Sequence, residues 1–310
     1  MLLRAISPSD PVTNLVLEGL LMSAPILQDA EFYSRAGAAD APKKARDGGT
    51  TGIFRSINED NTATPPENTY PSTAKKIVSF DVKVDTVLED RNEDPEAELA
   101  TQTRLEAEDA GWLLQEKFFT GDVDSDAEEF DGFGELIPVA NIKPVATHGL
   151  QIVLGNTDTK VTAQQTAVEA LQKFFATVRG GATHAYMNEY LKIRLLSMAK
   201  SLGYYRLSKD ELGNEIERIG QVAIRGAGYK KDGTPLLPFN ETVGNSTDCS
   251  SIFACRWGER VNLTCLTSVG VKATYAGQIG NFLINNVNLD MAIILQSDSA
   301  LHKSTGWRLG

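Results

Sequence analysis

Histidine and cysteine, from which most metal sites and many nucleophilic sites are built, are scarce in this sequence, with three of each in 310 residues. The spacing of Cys249, Cys255 and Cys265 matches neither a C-x-x-C pair nor a zinc ribbon, and an odd number cannot all pair. We therefore expect three reduced, buried thiols. The histidines are widely scattered and form no H-x-x-x-H pair, so the sequence predicts no metal site.

Positive charge is also in short supply. The chain has 30 Lys and Arg against 41 Asp and Glu, a formal net charge of −11, and it contains no dense basic run. Tight binding to nucleic acid phosphates or to an anionic membrane needs clustered cations, so neither partner is predicted. No apolar run reaches transmembrane length, and residues 1–27 lack the pattern of a secretory signal. We expect a chain made in the cytosol.

Recognisable catalytic motifs are absent as well. No G-x-S-x-G occurs. Gly226, Gly228 and Lys230 do not fit the G-x-x-x-x-G-K-[ST] frame of a phosphate-binding loop. Adjacent acids such as Glu128 and Glu129 are interpreted as solvated neighbours rather than general acids. The sequence therefore predicts no enzyme activity and no cofactor, while an unrelated α+β enzyme or binding protein stays open as an alternative.

The sequence does contain one clear long helix. Apolar residues make up 42% of the chain, and the length suits one large domain or two interleaved domains. Asp94 is placed to cap a helix over residues 94–119, Pro95 to begin it and Gly121 to end it. Its apolar stripe has the helical spacing of three and four: Ala100, Thr103, Ala107, Ala110, Leu114 and Phe118.

The residues before this helix are interpreted as an arm. Residues 10–32 are expected to be an extended segment that carries one short amphipathic helix. Residues 36–50, which are small, polar and rich in glycine, are expected to be a linker. The apolar anchors of the arm are Leu15, Leu17, Leu20, Leu21 and Ile26.

Two further apolar stripes predict two core helices in the second half of the chain. Both stripes are interpreted as ordinary core rather than as a cofactor site. The first consists of Val168, Leu171, Phe175 and Val178, and the second of Leu191, Leu195, Met198 and Leu202.

Residues 51–87 have the pattern of a long hairpin with a proline-rich tip. Val78, Phe80, Val82 and Val84 alternate with polar residues in the predicted returning strand. A hairpin of roughly 35 residues would reach about 50 Å at the rise of a β-strand. Because isolated hairpins are marginal in water, we expect its apolar side to be covered by a second molecule.

An acidic loop, Asp122–Asp131, follows the long helix. Counted from Asp122, an EF-hand calcium loop would need Gly at its sixth position and Glu at its twelfth, but Ala127 and Phe133 stand there. The loop is therefore expected to be a solvated insertion. In the phrase "FDGFGELIPVA" that begins at its end, we expect a turn built on Gly132 and Gly134 to lead directly into an apolar strand.

In this region the chain resembles the major capsid proteins of tailed double-stranded DNA bacteriophages, which have the HK97-like fold. "EKFFTGD", "VDSDAEE" and "FDGFGELI" are similar to the end of that family's spine helix, a variable loop and an F-x-G-L element. "LVLEGLLMSAPILQDAEFYSRAG" is similar to the N-terminal arm. "SSIFACRWGE", "VGVKATYAG" and "NLDMAIILQSDSALHKSTGWRL" are similar to three closing strands. The resemblance covers nearly the whole chain.

The resemblance implies an α+β fold with four parts. Residues 1–50 would form an N-terminal arm with anchors at Leu17, Leu20, Leu21 and Ile26, and residues 51–87 an extended loop. Residues 88–160 and 266–297 would form a peripheral domain around the spine helix at 94–119, and residues 161–265 and 298–310 an axial domain. The implied contacts between subunits in the extended loop are Phe54, Arg55, Tyr70, Pro71, Lys75 and Lys76. The implied turn after the spine helix contains Gly121, Asp122, Phe130, Gly132 and Gly134.

The function implied by the resemblance is structural. Copies of the chain would form pentamers and hexamers, and these would build an icosahedral head shell around phage double-stranded DNA without reading its sequence. The protein would be located in the virion and in the host cytoplasm during assembly, with scaffolding, portal and decoration proteins as further partners. An encapsulin-type nanocompartment shell is the first alternative.

Some members of this fold join their subunits by an isopeptide bond between a lysine and an asparagine, assisted by a buried glutamate. Lys75 and Lys76 lie on the predicted returning strand, and three asparagines lie near the implied closing strand. Asp290 is the one acid close to them, and apolar residues occupy the place of the helper glutamate. The sequence therefore does not favour crosslinking. The three asparagines are Asn285, Asn286 and Asn288.

Overall fold

The computed structural model describes residues 1–34, 57, 74–91, 94–209, 215–259 and 262–309. Over these ranges the chain has an α+β architecture, in which helices pack against two mixed β-sheets. The helices are α1 (Leu3–Ile6), α2 (Pro11–Ser23), α3 (Ile26–Asp29), α4 (Pro95–Thr120), α5 (Phe133–Leu136), α6 (Asp158–Thr177) and α7 (Glu189–Ser201). Short 3₁₀ segments lie at Thr86–Arg91, Val139–Asn141 and Asp298–Ala300.

The strands are concentrated in the second half of the chain. They are β1 (Phe32–Ser34), β2 (Lys76–Asp85), β3 (Ile142–Pro144), β4 (Leu150–Ile152), β5 (His184–Met187), β6 (Tyr205–Lys209), β7 (Glu215–Ile219), β8 (Val222–Gly226), β9 (Glu241–Val243), β10 (Ser246–Cys255), β11 (Leu263–Thr267), β12 (Val271–Ile279), β13 (Phe282–Leu295) and β14 (Leu301–Leu309).

The spine helix α4 begins and ends where local sequence signals predict. The Asp94 carboxylate accepts hydrogen bonds from the backbone N–H groups of Glu96 and Ala97, and Pro95 is the first helical residue. Gly121 follows the last residue, and its N–H donates to the Lys117 carbonyl. The predicted boundaries of 94 and 119 are confirmed to within one residue.

The predicted stripe of α4 is wrong at one position. Ala100 is exposed, and Leu99 is buried in its place. Leu99 forms a small apolar cluster with Val82, Val84 and Leu283. The first turns of α4 therefore face β2 and β13, whereas later turns face α2, and this change of neighbour rotates the buried face by one residue.

The first sheet contains five strands arranged around the long strand β13. Strands β2, β11 and β12 each pair antiparallel with β13, and β1 pairs parallel with β11. Helices α2 and α4 pack together against this sheet. Val271, Val287 and Leu289 join residues of both helices in one hydrophobic core, which stabilises the unit mainly by removing apolar surface from water.

The second sheet contains nine strands. Its main path runs β3-β14-β10-β5-β8-β7-β6, with β4 beside β14 and β9 beside β10. Residues of α6 and α7 form a second hydrophobic core with this sheet. Both predicted helical stripes are confirmed, because every member is buried except Leu202, which is partly buried and packs against the same core.

Two sequence-based expectations about strands are wrong. The turn at Gly132 does not lead directly into a strand, because Phe133–Leu136 form helix α5 and a 3₁₀ turn follows before the short strand β3. The three expected closing strands are five. β11 was not expected, and the last phrase contains two strands separated by a 3₁₀ turn at Asp298–Ala300. Short buried apolar runs carry too little periodicity to mark every such break.

The predicted domain boundaries stay a prediction, and the two sheets divide the chain somewhat differently. β3 and β4, assigned above to the peripheral part, lie in the second sheet with β14. β11 lies mostly in the part assigned to the axial domain but belongs to the first sheet. The chain therefore passes between the two sheets several times.

The three cysteine thiols are free and buried, as predicted. Burial raises the pKa of the Cys265 thiol, so the thiolate is strongly disfavoured. Among the described residues, no helix combines the length and the hydropathy that crossing a lipid bilayer requires.

Candidate functional site

The residues predicted to make contacts between subunits in the extended loop are only partly described. Phe54, Arg55, Tyr70 and Pro71 lie outside the described residues. Lys75 and Lys76 are described at the beginning of β2. The predicted outgoing strand of the hairpin and its tip also lie outside the described residues.

Ser34 and Lys75 lie on either side of segment 35–73, and both are bound to Ser268. The Ser34 hydroxyl donates to the Ser268 carbonyl at 2.7 Å, and the Lys75 ammonium donates to the Ser268 hydroxyl at 2.7 Å. Asp290 completes the group, because its carboxylate lies 3.7 Å from Lys75 Nζ and accepts from the Ser268 N–H at 3.0 Å. The chain thus enters and leaves this segment at one point on the first sheet.

The electrostatics of this point are set by Asp290. Partial burial acts to raise the pKa of its carboxyl, but hydrogen bonds from Ser268 and the nearby charge of Lys75 outweigh burial, so the pKa is lowered. The carboxylate therefore stays ionised and holds both neighbours. This network fixes Ser34 and Lys75 to the same point of the first sheet.

The apolar side of β2 is covered by its own chain. Val82 and Val84 are buried against Leu99 and Leu283. Val78 and Phe80 are partly buried against the main core. The predicted alternation is confirmed. The expectation that the returning strand needs a second molecule to cover its apolar side is wrong for residues 76–85, because Leu99 of α4, Leu283 of β13 and the main core of the same chain cover that side.

Lys76 and Asn285, two of the residues considered for crosslinking, are far apart within one chain. Lys76 pairs with Met291, whereas Asn285 pairs with Val82. Six residues separate Met291 from Asn285, which is about 20 Å along a strand. Asn285 is buried and donates to the Thr103 hydroxyl at 2.9 Å. An isopeptide bond between Lys76 and Asn285 of a single chain is therefore excluded by their separation.

Gly121 and Gly132 close the acidic loop at its base. The Gly132 N–H donates to the Gly121 carbonyl at 2.8 Å. A Cβ on Gly121 would lie 2.3 Å from the Phe130 carbonyl oxygen, and one on Gly132 would lie 2.6 Å from the Lys117 carbonyl oxygen. Both positions therefore need glycine because backbone atoms approach too closely for any side chain.

Phe130, which lies near the end of the acidic loop, belongs to an aromatic cluster that sequence patterns did not reveal. Phe118 and Phe119 at the end of α4 meet Phe130 and Phe133 edge to face, with ring centroids 5.4 to 6.3 Å apart. Gly134 lets the chain pass close to α4, because a Cβ there would lie 3.1 Å from the Phe119 carbonyl oxygen. The cluster extends to residues of the second sheet and joins the two halves of the molecule: Tyr186, Phe253 and Trp257.

The acidic loop is ordered by its own hydrogen bonds. The Asp122 carboxylate accepts from the Ser125 hydroxyl and the Asp124 N–H, and this bonding lowers the pKa of Asp122. Lys117 pairs with Glu129 at its base. Within the described ranges, no three His, Cys, Asp or Glu side chains are grouped to hold a metal ion.

Predicted arm residues are buried within their own chain. Leu17, Leu20 and Ile26 belong to the main core, and Leu21 is partly buried against it. The segment is not extended at this point, because α2 packs along α4. Asp10 caps α2, because its carboxylate accepts a hydrogen bond from the Thr13 N–H.

Two buried polar residues connect the arm to the body, and sequence reasoning missed both. Gln115 of α4 accepts from the Ile26 N–H at 3.2 Å and donates to the Ala227 carbonyl at 2.6 Å. Asp29 accepts three charge-assisted hydrogen bonds from Nε and Nη2 of Arg225, at 2.7 to 3.1 Å. Their partners lie about a hundred residues or more away in sequence, so no local pattern marks them.

The surroundings of Asp29 shift the pKa values of two neighbours. The Tyr186 hydroxyl donates to Asp29 at 3.3 Å, and burial raises the pKa of Tyr186. His184 Nε2 lies 3.7 Å from Asp29, but burial dominates and lowers the pKa of His184, with Arg225 acting in the same direction. His184 therefore stays neutral near pH 7.

This chain is similar to known proteins in its fold and not in its sequence. No protein-family model matches the sequence. No curated protein sequence matches it. Solved structures do match over most of the chain. The holo-SrpI encapsulin complex from Synechococcus elongatus PCC 7942 covers 91% of this chain and 87% of its own, with a TM-score of 0.59 and 11% identity.

Two further structures come from particles of other kinds. The head structure of Helicobacter pylori bacteriophage KHP40 covers 88% of this chain and 85% of its own, with a TM-score of 0.56 and 11% identity. The capsid of an empty GTA particle covers 92% and 90%, with a TM-score of 0.52 and 14% identity. At these identities the likeness concerns the fold.

Proposed function

We propose that this chain, which has the HK97-like fold shared by phage capsids and encapsulin shells, is the major capsid protein of a tailed double-stranded DNA bacteriophage. The fold is the one predicted from sequence, and it is a shell fold rather than an enzymatic one. The observation that carries the proposal is the match to capsid and shell structures across almost the full length of both chains. A likeness limited to one domain would not support it.

The proposed mechanism is self-assembly. Copies of the chain form pentamers and hexamers by contacts between different surfaces of neighbouring subunits, and these capsomers close into an icosahedral shell. Each copy is held by several neighbours, so release requires several contacts to break together. The proposed location is the virion, with assembly in the host cytoplasm.

Exposed apolar side chains support contact with further copies. Ile279 and Phe282 lie at the turn between β12 and β13, and both are exposed, as is Val87 next to the end of β2. Tyr190 and Ile193 are exposed one helical turn apart on α7. Apolar groups that are exposed together in this way are typical of protein interfaces.

Double-stranded DNA is the proposed content of the shell. The net charge of −11 suits a container that encloses DNA without binding its sequence, because like charges limit adhesion of DNA to the wall. Scaffolding, portal and decoration proteins are proposed partners of such a shell.

An encapsulin-type shell is the second candidate. It is favoured by the match to the encapsulin complex, which has the TM-score of 0.59. Both candidates require a closed shell and differ in its content. Nuclease-protected DNA inside particles purified from infected or induced cells supports the phage function, whereas a protein cargo without DNA supports the encapsulin function.

Deletion of residues 60–72 tests the proposal. We expect a soluble, folded subunit that no longer forms shells, because the tip of the extended loop is lost while both residues bound to Ser268 remain. Electron microscopy detects particles, and circular dichroism checks folding. As a control, a Gly-Ser linker of the same length in place of residues 60–72 separates loss of length from loss of side chains. Normal particles from the deletion variant would refute the proposed role of the loop.

A further inference from the structure

A cavity of about 670 Å³ lies between the N-terminal segment and the second sheet. Its volume is in the range of binding sites in proteins. Its apolar wall contains Leu3, Leu27 and Ile216. Its polar lining residues include His184 of β5 and Arg225 of β8.

The charged groups around this cavity are unequally matched. Arg225 is neutralised by Asp29, with which it forms a salt bridge at 2.7 Å. Arg218 donates to the Ser208 hydroxyl and the Gln221 carbonyl, both of which are uncharged. The cavity lining therefore includes more uncompensated cations than anions. The uncompensated cations are Arg4, Lys209 and Arg218, and the remaining carboxylate is Glu31.

Arg4 and Lys209 are the most available of these cations. Both are exposed, and within the described part of the chain neither side chain has a hydrogen bond or an ion pair. A cationic cavity in a protein of net charge −11 concentrates anionic groups at its mouth. We refer to this site as the basic cavity.

The acidic loop Asp122–Asp131 has the complementary chemistry. Asp124 and Glu128 are exposed, and within the described ranges their carboxylates have no partner. The loop is already ordered by the hydrogen bonds that Asp122 and Asp126 accept, so little conformational entropy is lost when it docks. Lys76 and Lys117 hold the loop against the body of its own chain. None of the described residues that line the basic cavity belongs to the loop of the same chain.

We propose that the basic cavity of one copy receives the acidic loop of a neighbouring copy. This inference rests on the proposed function, because it requires copies to meet in a shell. The donor loop and the acceptor cavity are different surfaces, so the contact is heterologous and repeats from subunit to subunit around a ring.

A polynucleotide is a poorer occupant of the basic cavity than an acidic peptide. No Phe, Tyr or Trp is among the described residues that line it, so bases would lack a stacking platform. The apolar wall suits the short aliphatic side chains of the loop, Val123 and Ala127.

Charge reversal on the two surfaces tests the contact. Arg4→Glu with Lys209→Glu reverses the cavity, and Asp124→Lys with Glu128→Lys reverses the loop. All four side chains lack partners within the described chain, so each double variant should fold. We expect each to reduce the particle fraction about tenfold or more at low ionic strength, as close charge pairs affect association. The readout is the fraction of protein in particles by sedimentation and electron microscopy.

The combination of both reversals is the decisive sample. A chain with all four substitutions has an acidic cavity and a basic loop, and we expect its particle fraction to return to within about twofold of wild type. Arg4→Lys with Lys209→Arg, and Glu106→Lys on the exposed face of α4, are controls that should assemble normally. Unchanged particles in either double variant, or no recovery in the combined variant, would overturn the inference.

A peptide experiment separates this inference from the proposed function. A labelled synthetic peptide of residues 121–132 should bind the soluble full-length subunit, with affinity reduced about tenfold by Arg4→Glu with Lys209→Glu and reduced by added salt. If the wild-type chain forms no shells but binds the peptide in this way, the shell function fails and the basic cavity stands as an acidic-peptide site. If shells form but the peptide shows no cavity-dependent binding, the inference fails alone.

Discussion

Gln115 shows how a single side chain can hold three parts of the molecule together. It is buried in the C-terminal part of α4, where it bonds the backbone of the N-terminal segment on one side and the residue that follows β8 on the other. A buried amide is stabilising only when its partners are present, because an unpaired backbone group inside a protein costs free energy. Gln115 is therefore a structural connection rather than a surface residue of an acidic helix.

Replacement of Gln115 by Met should destabilise the subunit strongly. The two side chains have similar shapes, but Met leaves the Ile26 N–H and the Ala227 carbonyl unpaired, at a cost of about 2–4 kcal/mol in total. Chemical denaturation of the dilute subunit measures the free energy of unfolding.

Gln102 provides the matched control for this prediction. It lies on the same helix and bonds only the Glu98 side chain, so Gln102→Met should change stability by less than about 0.5 kcal/mol. Equal effects at Gln115 and Gln102 would contradict the role assigned to Gln115.

Residue-scale features were predictable where they are local. The capping of α4 by Asp94 and Pro95 depends on neighbours two or three residues away, and the sequence predicts it correctly. The need for glycine at Gly121 and Gly132 follows from contacts across a loop, and the sequence gives only their presence at turns. The bonds of Gln115 and Asp29 depend on the tertiary fold, so the sequence carries no local signal for them.

At the scale of elements, the close packing of α2 on α4 orders the N-terminal segment. Gly19 of α2 lies against α4, and a Cβ there would be 2.9 Å from both the Arg104 carbonyl oxygen and the Ala107 Cβ. On the other helix, Gly111 faces the Leu20 carbonyl and the Ser23 side chain, which are part of the same contact. Small residues on both helices let the backbones approach.

Gly19→Ala should therefore destabilise the subunit although alanine favours helix. The gain in helix propensity is about 1 kcal/mol, whereas overpacking against a backbone carbonyl costs about 1–3 kcal/mol. We expect a lower thermal midpoint and faster hydrogen exchange in α2. Glu106→Ala, at an exposed site of α4, is the control and should be nearly neutral. A Gly19→Ala variant more stable than wild type would show that the helices can separate freely.

At this scale, the main errors of sequence-based prediction concern the elements that pack against one another. Alternation along β2 was predictable because it is a local pattern of period two. Its partners, β13 and the first turns of α4, were not, since they lie elsewhere in the chain. The same cause explains why Ala100 was expected to be buried in place of Leu99.

At the scale of the whole molecule, the order of segments was more informative than any single motif. The arm, spine helix, acidic loop, paired core helices and closing strands occur in the order that the HK97-like fold requires, and the fold is confirmed by solved structures. The surfaces that would contact other copies were less predictable. They depend on side chains such as Ile279 and Tyr190, whose exposure becomes apparent only in the folded chain.

Direct imaging of the purified full-length chain tests the central claim that copies of this protein build a closed shell. Electron microscopy, combined with sedimentation velocity across a range of protein concentrations, measures whether particles form and how uniform they are. The account predicts closed icosahedral particles of uniform diameter with resolved capsomers. A stable monomer, or a small oligomer that does not grow with concentration, would contradict it.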